Sequence, residues 1–476
     1  MFQQLDSIFA VFRPCFSREA SFQWCVIFVM GFLIRSDHEG VTSIVRWLAL
    51  TPSCYDSLVH FLSAPSWSVT TLVPVWATWV TTMCPLMTFQ GRPLLIGDGI
   101  KVAKEARKMP GVKAHRQDST NNSKKTTIWG HHWGMVGILT GSFQKAFCTP
   151  LRGELHEGVE TFRPSQGLNG QPPTVVTRMA RLLWATANTL GCPCYAVLDA
   201  YFAVGPTFLI LKEHLAPNGS WLVHVITRAK KSTVGYFVPD LHVTRFREKD
   251  KVKLMTLFEH PSCVPFTTAE VTLYGTTTTI SYCCLDLLWK PIGRLIRFVL
   301  VQHGTQRFIL MTSDLTLPPL TILTIYGFRT KIEVMFDVLK NLLGGLAYHF
   351  WTPEQPKLSR KKGWTPDFSS LSETARAQVL TTLTAIERFV MLALMAVGIL
   401  HYLSLTSSTQ VWQGYSGWMR TYSSAYPSER VVKTVIATAF FTPSRKVRQS
   451  RTFQAIRNKK RTAPLEHLPL KDTGTS

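Results

Sequence analysis

Acid is what this chain has least of. Its 476 residues hold 29 Asp plus Glu against 52 Lys plus Arg, a formal net charge of +23. That balance disfavours basic partners and suits a polyanion, nucleic acid before membrane, because phosphates gain from neutralisation and counterion release. Paired C-x-x-C spacing is also missing. The ten cysteines (15, 25, 54, 84, 148, 192, 194, 263, 283 and 284) offer only Cys192-Pro193-Cys194 and Cys283-Cys284 as close neighbours, too cramped for a zinc knuckle. Buried thiols in a reducing cytosol are the expectation. No internal repeat and no low-complexity tract occurs, which excludes solenoids and repeat arrays. The first apolar run, "WCVIFVMGFLI" (24–34), starts late and lacks a small-residue cleavage site, so no signal peptide is expected. The longest run, "FVMLALMAVGILHYLSL" (389–405), has 17 residues, and a membrane span needs about 20. The charged stretch before it, "SETARAQVLTTLTAIERF", continues the same helical pattern. A buried core helix is the expectation, with a membrane anchor as the weaker alternative.

What is present is apolar material for a large core. Hydrophobic residues make up 46% and charged ones 17%, a globular balance at a length that allows two to four domains. Residues 1–90 read as short helices. "PLLIGD" (93–98) reads as a buried strand, and the basic stretch 101–125 as a loop or mobile arm. "TTIWGHHWGMVGILTG" and "KAFCTPLRGELHEG" read as two more strands, making 93–157 a meander. Of His131 and His132, one should face the core and the other solvent, and neither is expected to bind metal. Residues 174–191 read as an amphipathic helix ended by Gly191, followed by strands at 194–202 and 220–231. Thr, Val, Tyr and Gly rise from about 235 to 320, a strand-rich segment. A Pro/Lys/Arg loop (352–367), helices at 371–405 and about 428–440, and a basic, mobile tail at 444–462 complete the chain.

Two apolar strands end in an Asp: "LLIGDGI" in Asp98 and "YAVLDAYF" in Asp199. An Asp there is costly unless its charge is compensated. A cap or turn role is the ordinary reading. Gly97 and Gly99 around Asp98 favour a functional one, since they leave room for a metal and a phosphate. Asp314 in "TSDL" reads first as a turn residue. In "IYGFRTKIEVMFDVLK" (325–340), Tyr326, Arg329, Glu333 and Lys340 fall within roughly a 60° sector of one helix face. Ile332, Met335, Phe336, Leu339 and Leu343 form the apolar stripe beside them. The ordinary reading of the polar row is an exposed face with an i, i+4 ion pair from Arg329 to Glu333. The sharper one joins Glu333 to Asp98 and Asp199 around two divalent cations about 3.5–4 Å apart, which clamp a phosphodiester in line. Carboxylate ligands favour Mg²⁺, with Mn²⁺ as a substitute, over Zn²⁺.

These residues resemble insertion-sequence transposases with an Asp-Asp-Glu triad, in the subgroup with a Tyr-x2-Arg-x3-Glu-x6-Lys signature. Tyr326, Arg329, Glu333 and Lys340 match that signature with every spacing intact. "GDGIKV", "VLDAYF" and "ILMTSDLTL" resemble the family's blocks in order, so the likeness runs over roughly 90–345. It implies an α/β fold: a ribonuclease H-like mixed sheet flanked by helices, with a strand-rich insertion between the second Asp and the Glu and with helical terminal regions. The implied organisation is a helical region at 1–90 that helps recognise element ends, core at 91–234, insertion at 235–320, the Glu-bearing helix at 321–350, helices at 351–443 and the basic tail at 444–476. Asp98, Asp199 and Glu333 would be catalytic and would bind two Mg²⁺. Tyr326, Arg329 and Lys340 would hold DNA phosphates. Lys101, Lys104, Arg107 and Lys108 could follow the DNA backbone beyond Asp98, a solvated arm being the ordinary reading. The likeness further implies metal-dependent strand cleavage and strand transfer, element-end and target DNA as partners, and a homodimer on paired ends. In a hairpin intermediate a flipped base would stack on tryptophan, for which Trp289 and Trp221 are candidates beside their ordinary core roles. The expected setting is the cytoplasm and nucleoid of a prokaryote. A decayed copy that still binds DNA without cutting it is the alternative.

Overall fold

The computed structural model describes residues 1–116, 127–162, 167–238, 246–260, 264–273, 276–361, 366–419 and 425–459. Five helices come first: α1 (Phe2–Phe12), α2 (Glu19–Ile34), α3 (Gly40–Trp47), α4 (Ser53–Ser63) and α5 (Val69–Met83). A short β1 (Thr88–Phe89) leads into β2 (Arg92–Ala103), β3 (Lys113–Arg116), β4 (Thr127–Gly141) and β5 (Ala146–Leu155). Five consecutive residues of β2, Pro93–Gly97, are buried. A strand covered on both faces reads as a continuous apolar run rather than an alternating one.

Next come α6 (Val175–Leu190), β6 (Cys194–Leu198), α7 (Gly205–Lys212) and β7 (Val223–Arg228). The α6 boundaries follow from capping chemistry: Thr174 and Thr177 form a reciprocal capping box, and Gly191 closes the helix at φ 66°. In the sheet, β5, β4, β2, β6 and β7 lie side by side in that order. The first three run antiparallel, while β2, β6 and β7 are parallel. This mixed α/β sheet is compatible with a ribonuclease H-like fold.

The strand-rich stretch continues the same sheet. β13 (Gln306–Thr312) bonds to β7, then β12 (Arg294–His303) and β11 (Thr276–Trp289) follow. β8 (Val234–Tyr236) with β9 (Lys251–Lys253), and β10 (Thr267–Leu273), pair onto the far side of β11. The chain then returns to β2 as α8 (Pro319–Gly327), a 3-10 turn at 328–330, α9 (Lys331–Asp337) and a π turn at 338–342. All five members of the expected apolar stripe are buried.

The apolar run at 389–405 lies in α10 (Glu373–Thr406). This helix is long and apolar enough to cross a membrane, yet 83% of its most apolar window is buried inside the protein. It packs against β5, α2, α4 and α5. Arg388 on it donates to the Leu62 and Ala64 carbonyls, at 2.9 and 2.7 Å. After it come α11 (Ser408–Gly414), α12 (Glu429–Phe441), α13 (Arg445–Arg448) and α14 (Arg451–Arg457).

Several expectations need correction. The tail is not free along 444–459: α14 docks on α1 and α2, burying Phe453 and Ile456, and Asp6 accepts from the Thr452 amide at 2.7 Å. Apolar side chains spaced along a basic stretch were enough to dock it. Residues 460–462 lie outside the described residues. The basic stretch after Asp98 is likewise anchored. Lys104 is buried, with its ammonium on the Leu346 and Tyr348 carbonyls and over the Tyr348 ring. Lys108 donates to the Pro353 carbonyl, and Lys101 to that of Arg116. Lys104 therefore has no route to a DNA backbone, and residues 117–126 lie outside the described residues. His131 and His132 are both buried, on opposite faces of β4. His131 bonds to the Tyr348 hydroxyl and the Pro110 carbonyl, and His132 to Glu157. Trp289 is buried against Phe208 and offers no open face to a base; Trp221 is stacked on His224.

Candidate active site

Asp98 lies on β2 between two glycines, and Asp199 closes β6 on the adjacent parallel strand. The β2–β6 register pairs Leu94 with Tyr195 and Ile96 with Val197. Extending it by two residues puts Asp98 level with Asp199 at the spacing of neighbouring strands, about 4.8 Å between backbones. Each carboxylate is fixed by a local amide: Gly99 donates to Asp98 Oδ1 at 2.7 Å, and Ala200 donates to Asp199 Oδ1. Thr227 on β7 donates to the Asp199 carbonyl at 3.0 Å, which pins the strand end. The cap and turn bonds of the ordinary reading are therefore present, and they coexist with convergence.

Glu333 reaches the pair through Arg329. One guanidinium nitrogen donates to Asp98 Oδ2 at 3.2 Å, and the other to Glu333 Oε1. The expected i, i+4 pair forms, but it is half of a bridge between residues 98 and 333 rather than an isolated surface contact. Arg329, expected to hold a phosphate, here neutralises two carboxylates at once. Its spacing to Glu333 gave half of the signal; the link to Asp98 had none in the linear order.

The electrostatics agree. Burial pushes the Asp98 carboxyl up to about 6; the Gly99 amide and Arg329 oppose the rise, and Asp199 and Glu333 add to it. Burial alone would lower the Arg329 pKa, but Asp98, Asp199 and Glu333 outweigh it and hold it above the ordinary value. Three carboxylates around one cation offer only oxygen donors, a set that suits a hard divalent ion such as Mg²⁺ or Mn²⁺.

The rest of the signature row spreads along an irregular helix. Tyr326 is half-buried at the end of α8, and Lys340 is exposed in the π turn. A π turn often marks a functional segment. The helix is braced from the far end of the sequence: Arg35, just after α2, donates to the carbonyls of Leu343 and Gly344, at 2.8 and 3.0 Å. Asp337 accepts from Asn341, one turn beyond Glu333. Asp314 is a turn residue, accepting from the Thr316 amide at 2.8 Å and from the Tyr195 hydroxyl at 2.7 Å.

The glycines flanking Asp98 have another purpose than the expected one. A Cβ on Gly97 would stand 3.0 Å from Met179 Sδ on α6, and one on Gly99 2.5 Å from His132 Nε2. Both open space on the face of β2 opposite Asp98, because successive strand residues alternate.

Residues 11–240 match the family model described as DDE superfamily endonuclease. The span covers just under half of the chain. It includes Asp98 and Asp199 and ends before Glu333. No curated protein matches the chain. The match supports an enzyme of the DDE nuclease or transposase type, a class that uses divalent metal ions and takes DNA as substrate.

Proposed function

We propose that the protein is a DNA transposase that cuts the ends of its own insertion element and joins them to target DNA. The observation that carries this reading is the Arg329 bridge between Asp98 and Glu333, with Asp199 level with Asp98 on the next strand. Asp98, Asp199 and Glu333 would hold two divalent cations, Mg²⁺ or in its place Mn²⁺. When bound, these would supply Lewis acidity at the attacking and leaving oxygens of a phosphodiester. The protein's own contribution is placement. The Gly99 and Ala200 amides orient two carboxylates, and Arg329 holds the third beside them until substrate arrives. Arg329, Lys340 and Tyr326 would contact phosphates of the cut strand. The charge of +23 suits long-range capture of DNA. The expected working form is a homodimer holding two element ends.

The test is purified protein with element-end DNA and Mg²⁺. Nicks at the ends are the expected outcome. A mobility shift without nicks under Mg²⁺ and under Mn²⁺ would replace this reading with a DNA-binding remnant that has lost its chemistry.

A further inference from the structure

We infer that the opposite face of the same sheet carries a second metal site, for a borderline transition ion such as Zn²⁺, made by His115, His132 and Glu157. The three come from β3, β4 and the residues just after β5. Their ligand atoms all lie within 4.8 Å of one another. His115 Nδ1 stands 3.0 Å from Glu157 Oε2, and His132 Nδ1 2.9 Å from the same oxygen. Ligands around a tetrahedral zinc stand about 3.3 Å apart, so a small opening of the cluster admits the ion.

Proton placement argues for a cation here. His115 Nε2 lies 3.0 Å from the Gly130 carbonyl oxygen, which can only accept, so Nε2 carries the ring proton. In a neutral ring that leaves a lone pair on Nδ1 facing a carboxylate oxygen. Two acceptors meet unless a proton or a metal ion lies between them. An Nε2–H donating to a backbone carbonyl is also how metal-ligating histidines are held in their working tautomer.

The surroundings are shaped for imidazoles. Gly99 and Gly134 are paired across β2 and β4. A Cβ on Gly99 would stand 2.5 Å from His132, and one on Gly134 1.8 Å from the His156 ring. His156 is 1% exposed, and neither of its ring nitrogens has a hydrogen-bond partner among the described residues. Its ring centre is 6.3 Å from that of His132, so it borders the cluster with unused donor atoms. Two imidazoles and a carboxylate form a donor set for Zn²⁺ rather than Mg²⁺, with a fourth position open to water or to His156. Such an ion would clamp β3 and β5 to β4 on the side away from Asp98.

The test uses the full-length chain, stripped with a chelator and titrated with Zn²⁺ alone, with bound metal counted after gel filtration. One zinc per chain is expected in wild type and equally in Glu333→Gln, which separates this site from the carboxylate one. His132→Asn and Glu157→Gln should each weaken zinc binding by about 100-fold or more, since even outer partners of a ligand cost 10- to 100-fold. Circular dichroism checks their folding. Should they misfold, Co²⁺ in wild type gives a second readout: visible d–d bands of a low-symmetry imidazole site are expected. Absence of stoichiometric zinc, wild-type affinity in both variants, or a Co²⁺ spectrum identical to the hydrated ion would overturn the site and leave a plain His115–Glu157 ion pair.

Discussion

The two faces of β2 treat charge in opposite ways. On one, three carboxylates gather around a single guanidinium; on the other, histidines gather around a single carboxylate. The Gly97-Asp98-Gly99 stretch serves both, since its acid points one way and its missing side chains make room on the other. The contrast teaches that one strand can present two donor chemistries, hard oxygen and borderline nitrogen, separated only by the pleat. The faces differ also in what braces them. Arg329 and Glu333 arrive from far along the chain, whereas His115 and His132 lie on neighbouring strands and Glu157 just after the next one.

The largest expected effect breaks the carboxylate face. Asp98→Asn, Asp199→Asn and Glu333→Gln, made singly, should each reduce DNA cleavage by about a thousandfold or more while DNA binding persists. Cleavage at the wild-type rate in any one of them removes that residue from the site. Next, Gly134→Ala should destabilise the protein by about 2–3 kcal/mol in denaturant unfolding, because its Cβ would overlap the His156 ring. Gly99→Ala, whose clash is at the edge of a ring, should cost less. An equal cost for the two would mean that the reverse face is not tightly built.

A third prediction concerns pH. Asp98 rises from its ordinary value of 3.8 to about 6 in the fold. Between those values the folded chain binds more protons than the unfolded one, so metal-free stability falls as pH rises through the window. Asp98→Asn removes that slope. In chelator it should melt higher than wild type above pH 6, by on the order of 1–2 kcal/mol, and the gap should close below about pH 4. A gap that does not vary with pH would show that Asp98 is not the titrating group. The smallest effect is at Lys340, exposed in the π turn. Lys340→Ala should lower the slope of log affinity for DNA against log salt by about one unit. An unchanged slope would exclude a phosphate contact there.

Much of the frame was legible. The apolar runs of β2 and β6, the Gly191 stop of α6, and the buried stripe from Ile332 to Leu343 all follow from local pattern. The α10 run reads as core because charged residues continue its helical period. What was not legible rests on partners distant in sequence. Nothing near Lys104 shows that Leu346 and Tyr348 take its ammonium, and nothing near Arg451 shows that Asp6 caps its helix. Alternation predicted one buried and one exposed histidine at 131 and 132, but both faces of β4 are covered, so both are buried.

By itself the order of residues determined which segments bury their side chains, where helices stop, and which acids sit at the ends of apolar strands, because those outcomes depend on neighbours within a turn or a pleat. Tertiary structure alone decided that Arg329 would bridge residues 98 and 333, and that His115, His132 and Glu157 would meet on the reverse face. Such meetings require strand register and helix return to be fixed across hundreds of residues, and no local periodicity encodes them.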